Sequence, residues 1–183
     1  MGKIDDFLKG FLPDGDASQK WVVWKHITQG KTHCPDCLVM DKCWFARKSS
    51  PNAPLHPYCH CVKIPIPYDQ VLEHAEATSA YSKYDPYLFN RDKRYPHSKE
   101  KMFESWGYTI EDAEWLQKEV EEQALHKYIS GDYTLGKLND KGQRINIRIE
   151  LERKSGSGSV SFLSGWMVQP NGQIKLNTPY GGK

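Results

Sequence analysis

Arg144-Ile145-Asn146-Ile147-Arg148-Ile149-Glu150-Leu151-Glu152 alternates without a break between aliphatic and polar side chains. Successive side chains on an extended backbone point to opposite faces, so this period of two predicts a half-buried strand. Ile145, Ile147, Ile149 and Leu151 face a core, and Arg144, Arg148, Glu150 and Glu152 face the other way. A Ser-Gly run, Ser155 to Gly158, makes a flexible connection to the next strand. Residues 160–168 and 173–177 then form a hairpin across Pro170-Asn171-Gly172.

Upstream of this sheet the pattern changes to helical spacing. Ile110, Ala113, Leu116, Val120, Ala124 and Tyr128 recur on one face of a helix over 109–130. Thr109 is its N-cap, Glu111 and Asp112 meet the positive end of the dipole, and Gly131 closes it. A shorter helix, capped by Ser98 and ended by Gly107, carries Met102, Phe103 and Trp106. The predicted fold class is α+β: two helices packed on an antiparallel sheet of three or four strands, over residues 85–183. Residues 68–84 read as a helical connector, with the helix over 68–80, and residues 1–67 as a separate N-terminal module.

That module starts with a short helix over 2–12 and a strand, Trp21-Val22-Val23-Trp24. Residues 46–68 hold Pro51, Pro54, Pro57, Pro65 and Pro67, which resist both helix and central strand. Such a loop needs another source of order, and the cysteines supply one. His33-Cys34-Pro35-Asp36-Cys37 places two sulfurs at the spacing of a metal turn. Leu55-His56-Pro57-Tyr58-Cys59-His60-Cys61 brings a second set. A structural Zn²⁺ held by Cys34 and Cys37 with donors from His56, Cys59 and Cys61 is expected. The second half stays open, since His56 with Cys59, Cys59 with Cys61, or His60 each satisfies the spacing. Cys43, beside Trp44 and Phe45, reads as a buried free thiol.

A Trp-containing strand, a Cys-Pro-x-Cys turn and a Pro-x-His-Pro-x-Cys-x-Cys segment together resemble the C-terminal end of the minor head proteins of Mu-like phages. The likeness covers roughly residues 20–65. Trp106-Gly107-Tyr108-Thr109, the helix to Tyr128, Gly131-Asp132-Tyr133 and the ending Trp166 to Gly181 resemble small domains found at the ends of phage head proteins and secreted bacterial toxins. That ending is similar to the last hairpin of the metal-independent toxin ribonucleases of the barnase, colicin and RelE-like assemblage. These resemblances imply a phage or prophage accessory protein with a ribonuclease-type domain. Virion proteins, RNA or a cognate inhibitor are the partners implied, in the bacterial host cytoplasm or the virion.

Cleaving RNA through its 2′-hydroxyl takes a proton acceptor, cationic donors for the phosphate and an acid for the leaving oxygen. His126 suits the first role by its ordinary pKa of roughly 6.5. Arg148 and Lys175 lie on polar strand faces, with Thr178 and Tyr180 nearby; Arg144 shares the face of Arg148. Each also has a plainer reading: His126 and Lys127 meet the negative end of a helix dipole, and the strand cations are solvated or paired with Glu150 and Glu152. A non-enzymatic head component is the competing expectation. So is a nucleic-acid-binding factor using the basic, aromatic stretch 81–101, which contains Lys83, Arg91, Lys93, Arg94, Lys99 and Lys101. Net charge is +2, so total charge selects no partner. The longest apolar runs are about four residues, far short of the roughly 20 a spanning helix needs. Asp5, Asp6, Asp14 and Asp16 break up the first residues, so no secretion signal is expected there.

Overall fold

In a computed structural model the alternating segment is strand β6, Gly142–Glu152, the longest strand of a five-stranded sheet. The model describes residues 21–27, 34–90 and 99–179. The fold is α+β. Along the chain run β1 (Trp21–Lys25), α1 (Pro35–Met40), β2 (Trp44–Ala46), β3 (Val62–Ile66), α2 (Tyr68–His74) and β4 (Glu76–Thr78). Then come α3 (Lys99–Ser105), α4 (Ala113–Ile129), β5 (Thr134–Asn139), β6, β7 (Ser159–Val168) and β8 (Gln173–Thr178). The expected helix over 2–12 and its Asp-Gly punctuation, and the Ser98 cap, lie outside the described residues.

The large sheet has the order β4-β8-β7-β6-β5, antiparallel except for β4, which runs parallel to β8. Ile145, Ile147, Ile149 and Leu151 are buried as the alternation requires, and Arg148, Glu150 and Glu152 are exposed. Phe162, Trp166, Ile174 and Leu176 continue this inner face across β7 and β8. Leu116, Val120 and Ala124 of α4 close the same core. Burying one such aliphatic side chain contributes about 1.5–3 kcal/mol, so the inner face fixes the register.

β6 pairs with β5 only as far as Asn146, leaving the rest of that edge without a strand among the described residues. Gln123 of α4 fills part of the gap. Its amide donates to the Glu150 carbonyl (2.7 Å) and accepts from the Glu150 N–H (2.9 Å), standing in for a neighbouring strand.

Three corrections to the expected organisation follow. Residues 68–80 are not helical throughout: α2 ends at His74 and the next residues enter the large sheet as β4. The sheet is therefore five-stranded and mixed, and its first strand lies upstream of residue 85. The proline-rich loop also contains a strand, β3, which pairs antiparallel with β1; Pro65 fits because β3 is an edge.

The small sheet, ordered β2-β1-β3, docks directly on the large domain. Tyr128 donates its hydroxyl to the Trp44 carbonyl (2.8 Å), and its ring meets Trp21 edge-on with centroids 5.0 Å apart. The Ala46 N–H donates to the Tyr133 hydroxyl (2.9 Å). Cys43 forms a bridge with Pro170 in the β7–β8 turn. There Gly172 has a positive φ of 84°, and a Cβ on it would run into the Trp44 ring. One hydrophobic core thus spans both sheets.

Tyr128→Phe strands the buried Trp44 carbonyl, and should cost about 1–3 kcal/mol. Urea unfolding at fixed metal content should show a lower midpoint with an unchanged slope. An unmoved midpoint would mean that this hydrogen bond does not hold the two sheets together.

Candidate metal centre and the outer face of the large sheet

Cys34 precedes α1 in an extended conformation, Pro35 starts the helix, and Cys37 lies one turn on. Proline at the first helical position needs no donor, so the turn is preset with both sulfurs on one side. On the second segment, the Cys59 N–H donates to the His56 carbonyl (3.1 Å) and Tyr58 adopts a positive φ of 68°. That turn brings His56 and Cys59 to the same place. The Cys37 sulfur lies 3.3 Å from His56 Nε2 and 3.5 Å from the Cys59 sulfur. The donor atoms of Cys34, Cys37 and His56 lie within 4.8 Å of one another.

The sequence reading omitted one member, His26. β1 and β3 pair with Lys25 opposite Val62, so the next residues out, His26 and Cys61, also face each other. His26 Nδ1 lies 3.5 Å from the Cys61 sulfur. His26, Cys37 and Cys61 form a second group of donors within 4.8 Å. The Asp41 carboxylate accepts the His26 N–H (2.8 Å) and fixes the backbone there. The signal was present in the sequence, but only to a reader who had already paired residues 21–25 with 62–66.

The protonation equilibria are those of a crowded sulfur site. Burial, then the neighbouring Cys61, Cys59 and Cys34 sulfurs, drive the Cys37 thiol far up. Burial also raises Cys61. At Cys59 burial acts upward, but backbone hydrogen bonds from Cys61 and Leu55 and the Cys37 and Cys61 side chains outweigh it and bring it to about 7. The Cys37 N–H is the main cause of the lowered Cys34. His56 is raised chiefly through the Pro57 carbonyl, to which its Nδ1 is hydrogen bonded at 2.7 Å. That bond leaves Nε2 turned to the sulfurs, as an outer partner does for a metal-binding imidazole. Cys34, Cys37, His56, Cys59 and Cys61 therefore converge as expected, and the cluster can hold a metal ion. Cys43 is separate: it is fully buried, points at the Val39 and Val168 carbonyls, and burial pushes it up to about 12.

The proposed RNA-cleaving residues divide. Arg144 and Arg148 of β6 and Lys175 of β8 share the outer face, opposite the isoleucines. The register aligns Arg144, Met167 and Lys175 in one row across three strands. Arg148 stands four residues along β6, opposite Leu163, and donates to the Ser161 hydroxyl (3.0 Å). His126 is not on this face: it lies in the last turn of α4, which packs on the inner face. Thr178 pairs with Gly165 across a β-bulge, which brings it to the outer face in one row with Gly165 and Asn146. Tyr180 lies outside the described residues.

Arg144 lies across the sheet. A Cβ at Gly136 on β5 would crowd its stem, and one at Gly165 on β7 would collide with its guanidinium. The two glycines on the flanking strands leave a trough in which the side chain lies flat. Glu150 pairs instead with Lys127 of α4 (3.8 Å). Among the described residues no carboxylate pairs with Arg144, Arg148 or Lys175.

An α+β domain with a thiol–imidazole cluster on an attached small sheet is the class that fold and site define. A family model described as a domain of unknown function, DUF6883, matches residues 71–183, and the chain belongs to that family. The match begins within α2 and takes in β4, consistent with β4 being part of the large sheet. The cysteine cluster lies ahead of it. No curated protein and no solved structure matches the chain. No helix of the described residues is long and apolar enough to cross a membrane.

Titrating the full chain with Co²⁺ should give the visible absorption of a tetrahedral thiolate site at one ion per chain. Cys37→Ser should abolish it, because Cys37 belongs to both donor groups, whereas Cys43→Ser should keep it. Loss of the signal in Cys43→Ser alone would place the centre elsewhere.

Proposed function

We propose that this chain is a phage or prophage accessory protein stabilised by a structural zinc ion, whose DUF6883 domain receives RNA on the outer face of its large sheet and cuts it without a catalytic metal. The observation that carries this reading is the row of Arg144 and Lys175, with Arg148 beyond it, on a face where no carboxylate pairs with them among the described residues. A phosphate backbone supplies the anionic partner that these three cations do not have among the described residues. Zn²⁺ is the ion that a mixed thiolate and imidazole donor set suits best. It pins Cys34 and Cys37 to the turn before β3, and so orders the proline-rich segment.

Cleavage would join the 2′-oxygen to phosphorus and break the bond from phosphorus to the 5′-oxygen. The 2′-proton passes to a base and a proton reaches the departing oxygen, leaving a cyclic phosphate and a 5′-hydroxyl. The cations stabilise the negative charge that builds on the phosphoryl oxygens. His126, on the other side of the sheet, is not the base in this arrangement.

A second reading, a non-enzymatic head component, draws on Val62 and Ile64, which are exposed on edge strand β3 beside the metal cluster.

The test is incubation of the purified full chain with an oligoribonucleotide in magnesium-free buffer. Products ending in cyclic phosphate, and binding that weakens steeply with salt, are expected. Intact RNA together with salt-independent binding removes the nuclease reading and leaves the head-component one. Metal analysis should find one zinc per chain, and chelation should lower thermal stability. Native melting after complete zinc removal would deny the ion its structural part.

A further inference from the structure

Beside Thr178, at the end of β8, the chain gathers a second set of polar groups from the basic, aromatic stretch 81–101. Tyr87 is half-buried there. Lys99 donates to its hydroxyl (3.0 Å) and lies 4.9 Å from its ring centroid. Lys83 lies 5.7 Å from the same centroid and donates to the Asn177 carbonyl (2.8 Å), which ties this segment to β8. The Tyr87 hydroxyl also meets the Thr178 side chain. Two ammonium groups and the Tyr87 hydroxyl thus gather about the last residue of the strand, whose own hydroxyl joins them.

The Arg144 trough leads to the same point. Its guanidinium lies over Gly165, and Gly165 is the ladder partner of Thr178. The Arg144 Nε is shielded from solvent and has no hydrogen-bond acceptor among the described residues. A buried donor left in this way is destabilising, which an anion beside the guanidinium would offset by drawing it into a charge-assisted bond. We infer that Lys83, Tyr87, Lys99, Thr178 and Arg144 form a phosphate-binding site for one phosphodiester group of the RNA. The inference rests on the RNA reading above and gives it a centre.

The chemistry suits the ligand. The planar guanidinium presents two parallel N–H groups to phosphoryl oxygens. The ammonium groups add charge without geometric demand. The hydroxyls of Tyr87 and Thr178 complete a ring of donors, and Lys99 holds the Tyr87 phenol below its usual pKa. Lys175, one row along, extends the positive surface toward the next phosphate.

The test compares binding of a labelled oligouridylate and of inorganic phosphate by the full chain and four variants. Arg144→Gln removes the fork. Gly165→Ala leaves the charge but puts a Cβ where the guanidinium lies. Arg148→Gln and Lys118→Gln are comparisons, Lys118 being exposed on the helix of the opposite face. The first two should each weaken oligouridylate binding about tenfold, the order expected for one charge-assisted contact, with unchanged melting temperatures. Both should also abolish phosphate binding, and Lys118→Gln should do neither. If Arg144→Gln and Gly165→Ala bind like the parent while Arg148→Gln weakens binding, RNA uses the outer face but not this site. If the parent binds phosphate through Arg144 but no oligouridylate, the site stands and the RNA reading falls. If it binds neither, both fall.

Discussion

Strand β6 cannot bury its four aliphatic side chains without committing its other side chains to the opposite face. The period of two is covalent geometry, and a slip of one residue would place Arg144 and Arg148 in the core. Everything else is arranged around that commitment. α4 covers the aliphatic side, and its Gln123 closes the edge that β5 leaves open at Glu150. The other side keeps its cations in the open, and the two glycines of the neighbouring strands let one of them lie flat. The same strand therefore supplies the core of the domain and the charge of its outer face.

Patterns confined to one segment were readable from the sequence. The alternation of 144–152, the helix ending at Gly131, the hairpin through Asn171 and Gly172, and the ligand spacing within each cysteine segment, 34–37 and 56–61, all follow from local spacing. What escaped were relations between segments. β4 is three residues long, and Glu76, Ala77 and Thr78 carry no strand signal; only parallel pairing with β8 makes them a strand. β3 was hidden by Pro65, which an edge strand tolerates. His26 becomes a candidate ligand through register with Cys61, and Tyr87 through the end of β8. The choice of Arg148 over Arg144 shows the same limit. Alternation assigns both to one face, but which of them reaches Thr178 depends on residues in β5 and β7.

Tyr128 joins the two sheets mechanically. Its ring packs on Trp21, the start of β1, and its hydroxyl holds Trp44 of β2. β1 in turn runs to His26, and β3 begins next to Cys61, so the metal cluster lies at the far end of the small sheet from this joint. The division of the chain at residue 71 suggested by the family match is thus a division of sequence, not of core.

This geometry separates what an ion at the cysteine cluster would restrain from the outer face of the large sheet. A bound ion would restrain Cys34, Cys37 and the turn before β3, all upstream of the family match. Restraint passes to the large sheet through the aromatic joint at the end of α4, which packs on the inner face, through the β7–β8 turn, where Cys43 bridges Pro170 and Trp44 meets Gly172, and through α1, which packs against β6. Arg144, Thr178 and Tyr87 are on the other side, held by strand pairing and by Lys83 and Lys99. Losing the ion would therefore loosen the small sheet first and reduce the stability of the whole through the shared core, because cooperative unfolding couples packed elements. It would not reposition the guanidinium over Gly165 while the large sheet stays folded, since none of the groups that place it belongs to the small sheet.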